Sequence, residues 1–220
     1  MPRLWLDIET IPTQRPDEIE RIRAEVVEHN QQLARPHPQV KVDELGDEAW
    51  RKTALDGAFG EVVCIGFAID AAEPTVFSRL PADSERRLLE EFAALLGGLS
   101  RPYLVSGHNV VGFDRVYLRQ RALVHGVKLP AWFTRSVKPW DTTTADTMLA
   151  WTGGVAGKGV SLDKLCRALG VPGKDGFDGS MVWDAIRDGR LADVATYCAA
   201  DVERARSCGA RLFAEGDSDV

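Results

Sequence analysis

The sequence predicts an α/β domain built on a mixed five-stranded sheet flanked by helices. Three observations predict it. Three strand patterns follow one another early in the chain, at 4–10, 62–69 and 74–77, and read as an antiparallel meander. From Pro102 onward, short strand patterns alternate with helices. Several of those helices carry start signals, stop signals and an apolar stripe.

The first strand is Leu4-Trp5-Leu6-Asp7-Ile8-Glu9-Thr10. Leu4, Leu6 and Ile8 alternate with Trp5, Asp7 and Glu9, the two-residue period of a strand. Residues 10–60 are of another kind, with four prolines (Pro12, Pro16, Pro36, Pro38) and two charged helical stretches, 17–34 and 43–55. In the first stretch Ile19, Ile22, Val26 and Leu33 form a thin apolar stripe. This reads as an insertion at about 13–59, either a lid over a site or a solvated decoration. Val62–Ile69 is a buried strand and 74–77 a third, short one. Ser84 or Asp83 caps a helix whose inner face is Leu88, Leu89, Phe92, Leu95 and Leu96, with Gly97-Gly98 as its stop. A fourth strand at 102–105 leads through Ser106-Gly107-His108-Asn109 to a helix at 113–125. A fifth strand is expected near Trp140–Thr142. Helices follow at 145–151, from a Ser161 cap to Leu169, at 182–187 and at 191–213, with a frayed acidic tail at about 214–220. The whole chain, 1–220, is expected to be a single domain.

Composition narrows the classes. Hydrophobic residues are 45% and charged residues 27% of 220, ordinary for a globular protein. No apolar run approaches the roughly 18 residues of a membrane span. The N-terminus meets acids too early for a signal peptide. A cytoplasmic protein without membrane association is therefore expected. The four cysteines are scattered, which predicts reduced, buried thiols and, with four histidines and no cluster, no zinc site. The net charge of −6 gives no bulk attraction for nucleic acid, yet an enzyme that binds cations with carboxylates can be acidic overall.

Asp7 and Glu9 point the same way from their strand, roughly 6.6 Å apart along it. Two such carboxylates repel unless a cation lies between them, and a divalent ion ligated at about 2.1 Å fits the gap. The alternative is an edge strand whose polar face meets water. Asp114 falls in the first turn of the helix after strand four, where sites collect in α/β sheets and where a helix dipole alone also favours an acid. Tyr197 and Asp201, spaced i, i+4 on the last helix, share a face. They read either as site residues or as a buried hydroxyl satisfied by a carboxylate. Asp141 and Asp146 are weaker candidates, either of which could simply cap the following helix. Arg115, Arg119, Arg121, Lys128, Arg135 and Lys138, interleaved with Tyr117, Trp132 and Phe133, suggest a single-strand path; the alternative is a solvated helix face and an unrelated loop.

The order of these acids resembles the DEDD (DnaQ-like) superfamily of 3′-5′ exonucleases, tyrosine subtype. The matching motifs are Leu6-Asp7-Ile8-Glu9-Thr10, His108-Asn109-x-x-Gly112-Phe113-Asp114 and Tyr197-x-x-x-Asp201-Val202. A closer likeness, to proteins similar to the exonuclease domain of family B DNA polymerases, rests on Asp7-Ile8-Glu9-Thr10-Ile11-Pro12, Gly60-x-Val62-Val63-Cys64-Ile65-Gly66, Gly107-His108-Asn109, Lys138-Pro139-Trp140, Ser161-Leu162-Asp163 and Asp178-Gly179-Ser180. The resemblance implies a ribonuclease H-like fold and a metal-dependent 3′-5′ exonuclease. It implies hydrolysis of phosphodiester bonds in single-stranded DNA, or at 3′ ends, to nucleoside monophosphates with two divalent cations, Mg2+ or Mn2+. An RNA exonuclease of the RNase D or oligoribonuclease kind, and a catalytically silent nucleic-acid-binding module, are the alternatives. By the same resemblance Asp7 bridges both ions and Glu9 and Asp201 hold the ion that carries the attacking water. Asp114 serves the second ion and Tyr197 orients the water. Glu9 and the backbone of Thr10 and Ile11 meet the 3′-terminal nucleotide. Asn109 either contacts the terminal nucleotides or satisfies its own loop. His108 reads as structural and Phe113 as core, with base stacking as the alternative for Phe113.

Overall fold

The computed structural model describes residues 1–135, 144–155, 158–173 and 176–213. Five strands, β1 (Arg3–Ile11), β2 (Glu61–Ile69), β3 (Thr75–Ser78), β4 (Leu104–Gly107) and β5 (Thr144–Asp146), form one sheet in the order β3-β2-β1-β4-β5. β1, β2 and β3 pair antiparallel, while β4 runs parallel to β1 and β5 parallel to β4. The meander followed by strand–helix alternation is thus the observed plan. The helices are α1 (Pro16–Gln31), α2 (Gln39–Lys52), α3 (Glu85–Gly98), α4 (Asp114–Val124), α5 (Ala131–Thr134), α6 (Thr147–Thr152), α7 (Leu162–Leu169), α8 (Val182–Arg187) and α9 (Leu191–Leu212). Single 3-10 turns lie at Thr53–Leu55 and Gly179–Met181.

The alternation in β1 sorts its side chains to two cores. Leu4, Leu6 and Ile8 pack with Leu88, Leu89, Phe92 and Leu118 of α3 and α4. Trp5 packs on the opposite face with Val202, Ala205 and Cys208 of α9 and with Leu165 of α7. Ile11, at the end of β1, joins Val182, Ala185 and Ile186 of α8. α9 comes close to the sheet because two glycines leave room. A Cβ on Gly66 would meet Cys198 Sγ at 2.8 Å, and one on Gly209 would meet the Trp5 ring at 2.3 Å. Gly66 is the β2 partner of Asp7, so this close approach lies beside the first acid of β1.

Ser84 and Ser161 cap α3 and α7 as their spacing predicts, accepting from the main-chain N–H groups of Arg87 and Lys164. α3 runs through Gly97 and ends at Gly98, with Leu99 as its extended C-cap. The strand expected near 140–142 falls outside the described residues, as do Lys138, Asp141 and the acidic tail; β5 begins at Thr144. All four cysteines are buried free thiols. The apolar stripe of α1 packs thinly: Ile22 is buried, but a cleft of about 450 Å3 lies between Ile22, Val26 and Leu33 of the α1 side and Leu45 and Ala49 of α2. No described helix is long and apolar enough to cross a membrane.

Candidate active site

β1 carries Asp7 and Glu9 on the face covered by α9. α9 presents Tyr197, Cys198 and Asp201 to it, and α4 begins with Asp114. Ligand atoms of Asp7, Glu9 and Cys198 lie within 4.8 Å of one another. Asp7 also feels the charges of Asp114 and Asp201, so four carboxylates from three distant segments share one electrostatic site. Tyr197 is hydrogen-bonded to Asp201 and lies within the field of Glu9 and Asp7.

The site is strained electrostatically when it holds protein alone. Asp7 Oδ2 is buried and has no hydrogen-bond partner among the described residues. Burial, then the negative charges of Glu9, Asp114 and Asp201, push the Asp7 carboxyl well above its ordinary range. Burial also raises Asp114 to about 7, against the opposing effect of the Ile8 N–H that donates to its Oδ1 at 3.0 Å. Tyr197 is raised too, by burial first and then by Asp201 and Glu9, so its hydroxyl stays protonated at neutral pH. Burial and the nearby acids likewise hold the Cys198 thiol neutral, which leaves the donors as hard oxygens. An unpartnered buried carboxylate oxygen among three further acids is the donor set that suits divalent Mg2+ or Mn2+.

Three supporting residues were not readable as such from their spacing. Asp146, expected as a weaker site candidate or a helix cap, does cap α6 by accepting from Met148 N and Leu149 N. It also accepts from Asn109 N at 3.1 Å and Val111 N at 3.0 Å, and so fixes the loop that leads to Asp114. Arg204 donates to Asp201 Oδ1 at 2.8 Å and to Gly173 O; its i, i+3 spacing from Asp201 was the available signal. Cys198, one residue after Tyr197, borders the acids and approaches Asp7 O at 3.6 Å.

The expected substrate residues fall at the same end of β1. A register shift separates Glu9 from Thr10. Thr10 Oγ1 donates to Ala54 O at 2.6 Å, and the Ile11 side chain is wholly buried in the core, leaving its main chain as the only part open to a ligand role. Asn109 has a left-handed backbone (φ 59°) and its side chain abuts Gly112. His108 is structural, with its ring nitrogens 2.9 Å from Thr147 Oγ1 and 2.7 Å from Val160 O.

Part of the basic and aromatic run after Asp114 is internal and so cannot line a strand path. Arg115 is buried and donates to the carbonyls of Phe133 and Trp132 and to Thr144 Oγ1. Arg121 is buried against Glu85, and Tyr117 and Phe133 are core side chains. Two of the cations are thus committed to internal acceptors by packing across the chain, while Arg119 and Lys128 are exposed.

A cluster of four acids with a tyrosine, on a mixed sheet flanked by helices, is a donor set of the class that suits hard divalent cations. Residues 55–205 match the family described as "Predicted 3'-5' exonuclease related to the exonuclease domain of PolB". The chain belongs to that family. It is similar in structure to the family B DNA polymerase from the hyperthermophilic archaeon Pyrobaculum calidifontis, with a TM-score of 0.63 at 18% identity. The match covers 97% of this chain and 24% of the polymerase, so the chain spans about a quarter of that protein. The fold is therefore that of a polymerase exonuclease domain, ribonuclease H-like. No curated protein matches the chain.

Proposed function

We propose that the protein is a 3′-5′ exonuclease of the tyrosine-type DEDD superfamily that hydrolyses single-stranded DNA from its 3′ end to nucleoside monophosphates. The observation that carries this reading is Asp7 Oδ2, buried in the field of Glu9, Asp114 and Asp201 with no hydrogen-bond partner among the described residues. Asp7, Glu9, Asp114 and Asp201 would hold two divalent cations, Mg2+ or Mn2+. When bound, such ions neutralise phosphoryl charge and lower the pKa of an attacking water. Tyr197, neutral at pH 7, orients that water through its hydroxyl and takes no proton from it. Glu9 and the main chain of Thr10 and Ile11 border the 3′-terminal nucleotide, with Asn109 as a further contact. Arg204 and Asp146 position Asp201 and the Asp114 loop.

DNA is favoured over RNA because the similar solved protein is a DNA polymerase. The chain acts as one domain in the cytoplasm, with 13–59 as an insertion. The test is digestion of end-labelled single strands of DNA and matched RNA with Mg2+ or Mn2+. A ladder shortening from the 3′ end is expected, faster on DNA. Asp7→Asn and Asp201→Asn should lose turnover while keeping the wild-type circular dichroism. An intact strand with folded wild-type protein would overturn the proposal, and full activity in either variant would remove the site assignment.

A further inference from the structure

Beside the acids lies a second cleft of about 350 Å3, bounded by Thr10, the Thr53–Leu55 turn and the start of α8. Its volume is within the roughly 300–1,000 Å3 of ligand sites. Its walls are mostly apolar. Leu55 contributes a side chain 71% exposed, an unfavourable placement for a leucine that covers nothing. Trp183 contributes an indole held edge-on by Trp50 at 5.4 Å, and Trp50 is itself fixed by its Nε1 donating to Thr13 O. The aromatic wall is therefore preorganised. Arg51 and Lys52 line the rim. Their partners, Asp184 and Glu48, are half-exposed to exposed, and ion pairs of that kind are weak enough to exchange for a phosphate. Thr10, which the cleft shares with the candidate active site, directly follows Glu9 in the chain.

Resting on the exonuclease reading, we propose that this cleft binds a nucleobase of the single strand, with Arg51 and Lys52 taking its phosphate. The 13–59 segment then supplies one wall of the substrate path. Apolar and aromatic walls accept any base face, and cations at the rim follow the backbone, the combination that single-strand sites use.

Anisotropy of fluorescein-labelled dT12 in EDTA reads binding without metal, and steady-state digestion of the same strand reads KM and kcat. Wild type, Leu55→Ala, the double variant Arg51→Ala/Lys52→Ala, and Val40→Ala as an exposed control on α2 are compared. Leu55→Ala should raise Kd and KM roughly five- to a hundred-fold with kcat within about twofold. The double variant should lower the slope of log Kd against log salt by about 1.4, two phosphate contacts on a single strand. Wild type that digests the strand while both sets of variants match Val40→Ala overturns the proposal. So does wild type that does not bind the strand. Binding that Leu55→Ala weakens in a wild type without digestion sinks the exonuclease reading and leaves this site standing.

Discussion

The main-chain N–H of Ile8 donates to Asp114 Oδ1 at 3.0 Å, across 106 positions of sequence. The β1–β4 pairing runs from Arg3 and Leu104 only to Trp5 and Ser106. Beyond it β1 has lost its parallel neighbour, and a carboxylate from α4 takes over an N–H of the strand. The same bond ties Asp114 to the strand that carries Asp7 and Glu9. Asp114→Ala leaves the buried Ile8 N–H without an acceptor and should cost about 1–3 kcal/mol in urea unfolding. Asp114→Asn keeps an acceptor and should be much milder. Both should lose nuclease activity, so stability separates the two roles of this residue.

Metal-free protein should lose stability as pH rises. The Asp114 carboxyl is raised to about 7, and Asp7 is raised as well. A raised folded-state pKa favours the fold while the group is protonated; that contribution is complete below the unfolded value near 4 and is lost as pH climbs through about 7. Thermal melts in EDTA at pH 5.5 and 8 should show the drop, and Asp7→Asn should reduce it by on the order of 1–2 kcal/mol. Mg2+ or Mn2+ should restore the alkaline Tm of wild type and not that of the variant. A metal-free Tm that rises across this range contradicts the assignment of these acids to one site.

Gly66→Ala should displace α9. Its Cβ would lie 2.8 Å from Cys198 Sγ and 3.1 Å from Val202 Cγ2. Overpacking of this kind costs about 1–3 kcal/mol, and here the moved helix also bears Tyr197 and Asp201. Adding Cys198→Ala should recover part of the loss in stability and in kcat. A double-mutant cycle with no coupling between positions 66 and 198 would count against this contact.

Asp146→Ala should lower kcat without touching the acids. Its carboxylate holds Asn109 N and Val111 N, so its removal frees the loop before Asp114 and the cap of α6 at once. A loss of about 1–3 kcal/mol is expected, with Mn2+ affinity by calorimetry reduced as Asp114 loses its placement. Asp146→Asn, which retains one acceptor oxygen, should fall between the two.

Glu85 should govern acid stability away from the site. Burial alone would raise its carboxyl, but Arg121, the Val62 N–H and His125 together hold it below the ordinary value. A depressed pKa gives stability that is present above the unfolded value, near 4.5, and is lost as pH falls through the folded one. Glu85→Gln leaves Arg121 buried without its carboxylate and should cost about 3–5 kcal/mol at pH 7. The gap to wild type in denaturant midpoints should narrow below pH 4.

The sequence by itself determined what depends on neighbours along the chain. The two-residue period of β1 put Asp7 and Glu9 on one face, the i, i+4 spacing put Tyr197 and Asp201 on another, and serine caps set the starts of α3 and α7. Local periodicity carries that information because it reports which side of an element must leave water. The tertiary structure decided what depends on the partner. Arg115 and Arg121 look like a cationic path in the chain, yet they are spent on Phe133 O and on Glu85, which lies 36 residues from Arg121. Asp146 reads in the sequence as a weak site candidate or a cap, and in the structure it both caps α6 and holds a second loop. The long-range fact that matters most is the crowding of Glu9, Asp114 and Asp201 around Asp7, set by the Gly66 gap that admits α9 and by the early end of the β1–β4 ladder. Such contacts arise from packing between elements, where the energy of a residue is fixed by groups that spacing along the chain does not record.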